Sequence, residues 1–279
     1  MPLIKAGDIN LEHYTDGSAQ TGGRSPGPPL LMIRGFTGRA QSWGKAFLDD
    51  LARDFTTIRY SHTGIGQSEP SANVSIKSMA DDGVNLLTAL GIEKAHVFGI
   101  SMGGMVAQEL ALHHPDRVLT LTLGCTHCGG SRGPAASPEA IKALTDTRGT
   151  QEERSRRAWA YSMGPGWEQK PDAVSAVENE LAHVLQYPTP LSVVGQQWAA
   201  IQQFDTYDRL PSLNVPTQII HGDHDQIVLV EHGRIIHERM PGSWLHILPG
   251  AGHVFMNDQP DETAHLLREH AASAVPATA

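Results

Sequence analysis

The 279-residue chain is 40% apolar and 18% charged, a balance that suits one large domain with an insertion or two small domains. A formal charge of −9 and a pI near 5.9 exclude the basic footprint of a nucleic-acid binder or of a protein held on an anionic membrane. No apolar run approaches membrane-spanning length, and the start Met1–Asp8 lacks the long apolar core of an export signal, so a cytoplasmic location is expected.

Residues 9–14 alternate in strand fashion, and Asp16–Pro29 is rich in Gly, Ser and Pro, which marks a loop. Leu30–Ile33 is a short continuous apolar run, the form of a strand buried on both faces, and it ends in Arg34-Gly35-Phe36-Thr37-Gly38. Glycines at a strand end let backbone approach a ligand, so the Phe36 N–H is a candidate oxyanion donor. The pattern then predicts a helix over 43–54, a strand over 56–60, a Gly-rich loop over 61–70 and a helix over 75–90 that stops at Gly91.

Residues 95–100 are another apolar strand, and they run into Gly99-Ile100-Ser101-Met102-Gly103-Gly104. Gly-x-Ser-x-Gly between a strand and a helix is the pattern of a nucleophile elbow, a turn so tight that only glycine fits beside the serine. The helix that follows, over about 102–114, aims its free N–H groups and positive dipole end at Ser101, so the same turn supplies an oxyanion donor. A strand over 118–123 continues the alternation expected of a mostly parallel sheet, whose sites lie at the carboxyl ends of its strands.

Four helices are predicted over 138–147, 151–163, 171–186 and 191–204, with no strand between them. They bring Trp159, Trp198 and Phe204, so residues 130–205 are expected to form a helical lid inserted into a core made of 1–129 and 206–279. Strands over 217–220 and 244–248 and helices over about 230–240 and 260–272 complete the core.

A serine hydroxyl needs a base, and the base needs a group to orient it. Among 15 histidines, His253 stands out because Pro249-Gly250-Ala251-Gly252 places it on a glycine-flanked turn after a strand, free to swing over the sheet edge. The acid is Asp223 or Asp225, both just past the preceding strand. The order Ser, Asp, His is the one that accompanies the elbow. Cys125-Thr126-His127-Cys128 lacks the second ligand pair of a zinc site and closes a strand instead of opening a helix, so it reads as small residues near the pocket, with neither metal nor redox role.

Over nearly its whole length the chain resembles the α/β-hydrolase fold superfamily, in particular its small esterases and lactonases similar to enol-lactonases and anthracycline methylesterases. The matching stretches are residues 34–38, 60–68, 99–104, 222–228 and 250–253. The resemblance implies an α/β fold with a helical lid, Asp225 as the acid in Gly-x-x-Asp-x-x-Val, oxyanion donors at Phe36 and Met102, and no cofactor. In one departure Arg34 stands where the family usually has His. Hydrogen-bonded bracing of the loop is the favoured role for it, ahead of contact with an anionic substrate. In another, Ser61-His62-Thr63 replaces the charged residue that relatives often carry before Gly-x-Gly.

The expected function is cofactor-independent hydrolysis of a small carboxylic ester or lactone through an acyl-enzyme on Ser101, His253 and Asp225. Arg34, Trp159, Trp198, Phe204 and Val228 are candidates for the substrate pocket. A cofactor-free perhydrolase (haloperoxidase) or a lyase would use the same triad, and a small-ligand receptor on this fold is a third reading. A dehalogenase is disfavoured because it needs a carboxylate at the elbow. The protein is expected to act as a monomer or homodimer on a small molecule.

Overall fold

The computed structural model describes residues 3–17, 27–130 and 132–273; most of the expected 16–29 loop lies outside them. Eight strands form one sheet: β1 (Leu3–Ala6), β2 (Ile9–Asp16), β3 (Pro29–Ile33), β4 (Thr56–Tyr60), β5 (Ala95–Ile100), β6 (Val118–Gly124), β7 (Thr217–Gly222) and β8 (Trp244–Leu248). Their order is β1-β2-β4-β3-β5-β6-β7-β8. The first two strands run antiparallel to their neighbours, and all later pairs are parallel. Strand β1 has no counterpart in the sequence reading, because four edge residues of which only Ala6 is buried carry too little pattern.

Strands β3–β7 are buried on both faces, and the period of two sorts their side chains. Leu31, Ile33, Val97, Leu121 and Ile219 pack into one apolar cluster. Leu30, Met32, Phe98, Ile100 and Ile220 pack into the other. The first cluster is covered by α2 (Ile76–Ala89), α3 (Met102–His113) and α8 (Glu231–Arg239), the second by α1 (Lys45–Leu51) and α10 (Pro260–Ser273). Each fully buried Leu or Ile contributes about 1.5–3 kcal/mol relative to exposure. Helix α3 is buried along 102–111 and has no polar stripe, as expected for the central helix behind the elbow.

Helix α1 is shorter than the predicted 43–54. Gly44 has φ 66°, outside the helical region, so the helix cannot begin before Lys45, and the chain after Leu51 tightens into turns. Between β6 and β7 the regular elements among the described residues are helices: α4 (Pro138–Thr145), α5 (Gln151–Ser162), α6 (Pro171–Gln186), α7 (Leu191–Gln203) and short 3-10 turns. Gly129 bridges to Asp205, so the chain leaves and rejoins the sheet at neighbouring points. A short helix, α9 (Phe255–Asp258), follows β8 and is absent from the sequence reading. Among the described residues no helix is long and apolar enough to cross a membrane.

Candidate active site

Strands β3, β5, β6, β7 and β8 all end at one edge, where the loops carrying Arg34, Ser101, Cys125, Asp225 and His253 meet. Ser101 has φ 58° and ψ −126°, a conformation side chains rarely adopt and one that costs on the order of 1–3 kcal/mol. Close packing holds it there. A Cβ on Gly99 would lie 2.2 Å from Gly103 O, one on Gly103 2.1 Å from Ile33 O, and one on Gly35 2.8 Å from Ser101 Cβ. Ser101 N–H donates to Gly124 O at 2.8 Å, and Thr126 Oγ1 donates to Ser101 O at 2.8 Å, which pins both ends of the turn.

Asp225 follows β7 in a turn that satisfies its carboxylate completely. Oδ1 accepts the N–H groups of Ile227 at 2.8 Å and Val228 at 2.9 Å, and Oδ2 accepts His253 Nδ1–H at 2.8 Å. Burial works to raise its pKa, but the hydrogen-bonded His253 and the nearby His221 ring outweigh that and hold the carboxyl well below the usual range. An ionised carboxylate can only accept, so His253 Nδ1 must carry a proton, which leaves Nε2 with its lone pair in the neutral ring. His221, absent from the sequence reading, lies under the same carboxylate, its Nε2 3.4 Å from Oδ2 while donating to Val228 O at 2.7 Å. Asp223, the other acid considered, is exposed and engaged with His224 and Gly250 N–H.

The loop of His253 is clamped where the sequence suggested a free swing. Asp258 Oδ2 accepts both Gly252 N–H and Gly164 N–H at 2.9 Å, and Val254 N–H donates to Ser162 O at 3.0 Å. A Cβ on Gly252 would come within 2.5 Å of the Met163 carbonyl carbon, so this glycine admits the helical segment's backbone. Asp258 thus ties the His253 loop to the chain after α5, and burial pushes its carboxyl up.

Ser101, His253 and Phe36 line one cavity of about 800 Å³, which includes space at its solvent-open mouth. Among the described residues no acceptor meets Phe36 N–H. Met102 opens α3, so its N–H has no carbonyl one turn back. Gln197 Oε1 accepts Thr37 N–H at 2.9 Å and fixes the Phe36 loop to α7.

Of the expected pocket residues, Arg34 and Trp159 line this cavity. Trp198 does not: it packs edge-on against Phe36 at 5.8 Å and supports the loop from outside. Phe204 belongs to the core cluster beside His127, because α7 ends at Gln203 and turns its last aromatic inward. Val228 contributes a backbone N–H to Asp225, while its neighbour Ile227 faces the cavity. Leu144, Met163, Val177, Glu180 and Asn257 line it without having been singled out in the sequence, since nothing local tells which face of α4, α6 or α9 turns inward.

Arg34 departs from the bracing role. It is the backbone carbonyl of Arg34 that is held, by His62 Nε2–H at 2.9 Å, whereas Nε and Nη1 of the buried guanidinium meet no hydrogen-bond partner. Cys125 and Cys128 are free and buried in different clusters on opposite faces of the sheet, so they share no site. Cys125 Sγ lies within 4.8 Å of ligand atoms of Asp225 and His253, and burial first, then the Asp225 charge, push its thiol well up.

A family profile described as the alpha/beta hydrolase fold matches residues 28–162. The chain is 28% identical over 240 residues to the RutD protein of Caulobacter sp. (strain K31), provisionally named a carbamate hydrolase, covering 83% of this chain and 86% of that one. It is 25% identical to 3-oxoadipate enol-lactonase 1 of Acinetobacter baylyi, covering 84% and 85%. A solved hydrolase from Pseudomonas aeruginosa superposes with a TM-score of 0.79 at 26% identity, covering 98% of each chain. The chain has the α/β-hydrolase fold, and its likeness is to the esterases and lactonases built on it.

Proposed function

We propose that the protein is a cofactor-independent serine hydrolase that cleaves small carboxylic esters or lactones, with Ser101 as nucleophile, His253 as base and Asp225 as the acid that orients it. The observation that carries this reading is the buried 2.8 Å Asp225–His253 bond, which leaves Nε2 for the cavity that Ser101 also lines. Ser101 Oγ attacks the carbonyl carbon as Nε2 takes its proton. Oxygen charge then develops against the N–H groups of Phe36 and Met102, and His253 returns the proton to the leaving alcohol. Water, activated by the same nitrogen, releases the acid. Residues 130–205 serve as a cap that narrows the cavity and excludes bulk water. Relatives named for carbamate and for enol-lactone hydrolysis support an acyl-centred reaction without choosing its substrate.

The test is turnover of short p-nitrophenyl esters and of γ- and δ-lactones by the wild-type protein, beside Ser101→Ala with an unchanged melting temperature. Loss of all turnover in the variant is expected. Retention of most of it, with the fold intact, refutes the assignment.

A further inference from the structure

The guanidinium of Arg34 has an environment that the proposed ester chemistry does not use. Its side chain is 8% exposed, and the residue lines the cavity of Ser101 and His253. The carbon centre of the guanidinium lies 5.3 Å from the centre of the Trp43 ring. Among the described residues its one charged neighbour is Glu180, whose Oε2 stands 3.9 Å from Nη2, beyond hydrogen-bond reach. Nε and Nη1 have no partner.

The neighbouring buried arginines also leave Nε without a partner, but each anchors its terminal nitrogens. Arg39 donates to Tyr187 O and Thr189 Oγ1, and Arg59 to Ala40 O and Asp16. Burying a cation whose N–H groups go unpaired is costly, and such groups are normally satisfied by a partner. At Arg34, Nε and Nη1 are sealed inside the protein, and Nη2, which makes no hydrogen bond, is the guanidinium nitrogen left to the cavity. The cation sits one residue before Gly35, whose hydrogen faces Ser101, so an acceptor bound to it would lie close to the reacting carbonyl. A carboxylate oxygen is a charged acceptor for the N–H groups of Nη2, and a charge-assisted hydrogen bond is stronger than a neutral one.

We infer that Arg34 is a specificity-determining residue that binds a free carboxylate on the substrate, so that the preferred ester or lactone carries a second, unesterified carboxyl group. This rests on the proposed hydrolysis at Ser101. Glu180 holds the cation loosely when the cavity is empty and competes with the substrate for it.

The experiment compares monoethyl glutarate with ethyl pentanoate, which match in acyl length and differ in charge, for the wild-type protein, Arg34→Met, Arg34→Lys and Glu180→Gln. Wild type is expected to prefer the charged ester in kcat/KM. Arg34→Met should lose about 10- to 100-fold on monoethyl glutarate, the scale of a charge-assisted hydrogen bond, with little change on ethyl pentanoate, and Arg34→Lys should recover part of the loss. Glu180→Gln, which leaves Arg34 in place, should lower KM for the charged ester alone. Equal losses on both esters, or a wild type that prefers the neutral one, would overturn the inference and make Arg34 a loop support. Binding of glutarate is measured in parallel by calorimetry on Ser101→Ala with and without Arg34→Met. If neither ester is turned over while glutarate binds through Arg34, the hydrolase reading fails and the carboxylate site stands; if glutarate does not bind and ethyl pentanoate is cleaved, the reverse holds.

Discussion

Replacing Asp225 by Asn changes one atom and reverses a proton. The carboxylate accepts three hydrogen bonds, two from the Ile227 and Val228 N–H groups at Oδ1 and one from His253 at Oδ2. An amide in the same place has one acceptor and one donor end. Directing the NH₂ at Ile227 and Val228 would oppose two buried donors, whereas directing it at His253 opposes one ring nitrogen that can shed its proton. The second arrangement wins, because an unmade buried hydrogen bond costs about 1–3 kcal/mol and the first leaves two. His253 then accepts at Nδ1 and carries its proton on Nε2, so the nitrogen that faces the cavity can no longer take a proton from Ser101. A wrong tautomer of this kind costs about 10⁴-fold in kcat where it has been engineered in a serine triad, near 5.5 kcal/mol of barrier. The assay is kcat and KM on p-nitrophenyl butyrate for Asp225→Asn and Asp223→Asn, with melting temperatures. The expected result is a collapse of kcat for Asp225→Asn at nearly constant KM, and less than a threefold change for the exposed Asp223. A loss under tenfold at position 225, or a larger one at 223, refutes the tautomer argument.

Glycine substitutions separate close packing from open space. Gly103→Ala places a Cβ 2.1 Å from Ile33 O and should abolish soluble expression or lower the melting temperature sharply. Gly195→Ala, inside α7 with nothing within 4 Å, should raise stability by about 0.5–1 kcal/mol by helix propensity, as read by urea denaturation. Stability should also fall with acid. Burial holds His62, His127 and His270 at pKa values of about 4, while in the unfolded chain they titrate near ~6.5. Between those limits the unfolded state binds protons the folded state refuses, so stability is present above pH ~6.5 and lost toward pH ~4, by up to about 1.4 kcal/mol per pH unit for each histidine. Asp82 and Asp258, raised by burial, oppose this only nearer the carboxylate range. Urea midpoints from pH 7.5 to 4.5 check it; a flat or rising profile contradicts it, and His62→Gln should flatten the slope.

The fold was legible because its parallel strands are bounded by glycine turns and spaced by amphipathic helices, and because the elbow needs glycine at 99 and 103 for reasons visible in five residues. Ser101, Asp225 and His253 could be chosen since each follows a strand end, and all strand ends of a parallel sheet share an edge. What resisted reading depends on packing between elements. Trp198 and Phe204 lie within seven residues on one helix and its end, yet one props the Phe36 loop and the other fills the core. Arg34 gives no sign in sequence that its guanidinium would lack a hydrogen-bonded partner, because its nearest carboxylate, Glu180 on a helix some 146 residues away, comes only to 3.9 Å of Nη2. Asp258 and His221 were passed over for a similar reason: one clamps two glycine N–H groups from distant loops, and the other lies beneath a carboxylate whose position only the β7 turn defines.

The central claim is that Ser101 is an activated nucleophile. Intact-mass spectrometry after exposure to a fluorophosphonate, on wild type and Ser101→Ala side by side, tests it most directly. The account predicts one covalent adduct on the wild-type chain and none on the variant. A wild-type chain that stays unlabelled while folded, or a variant that still takes the label, would contradict it.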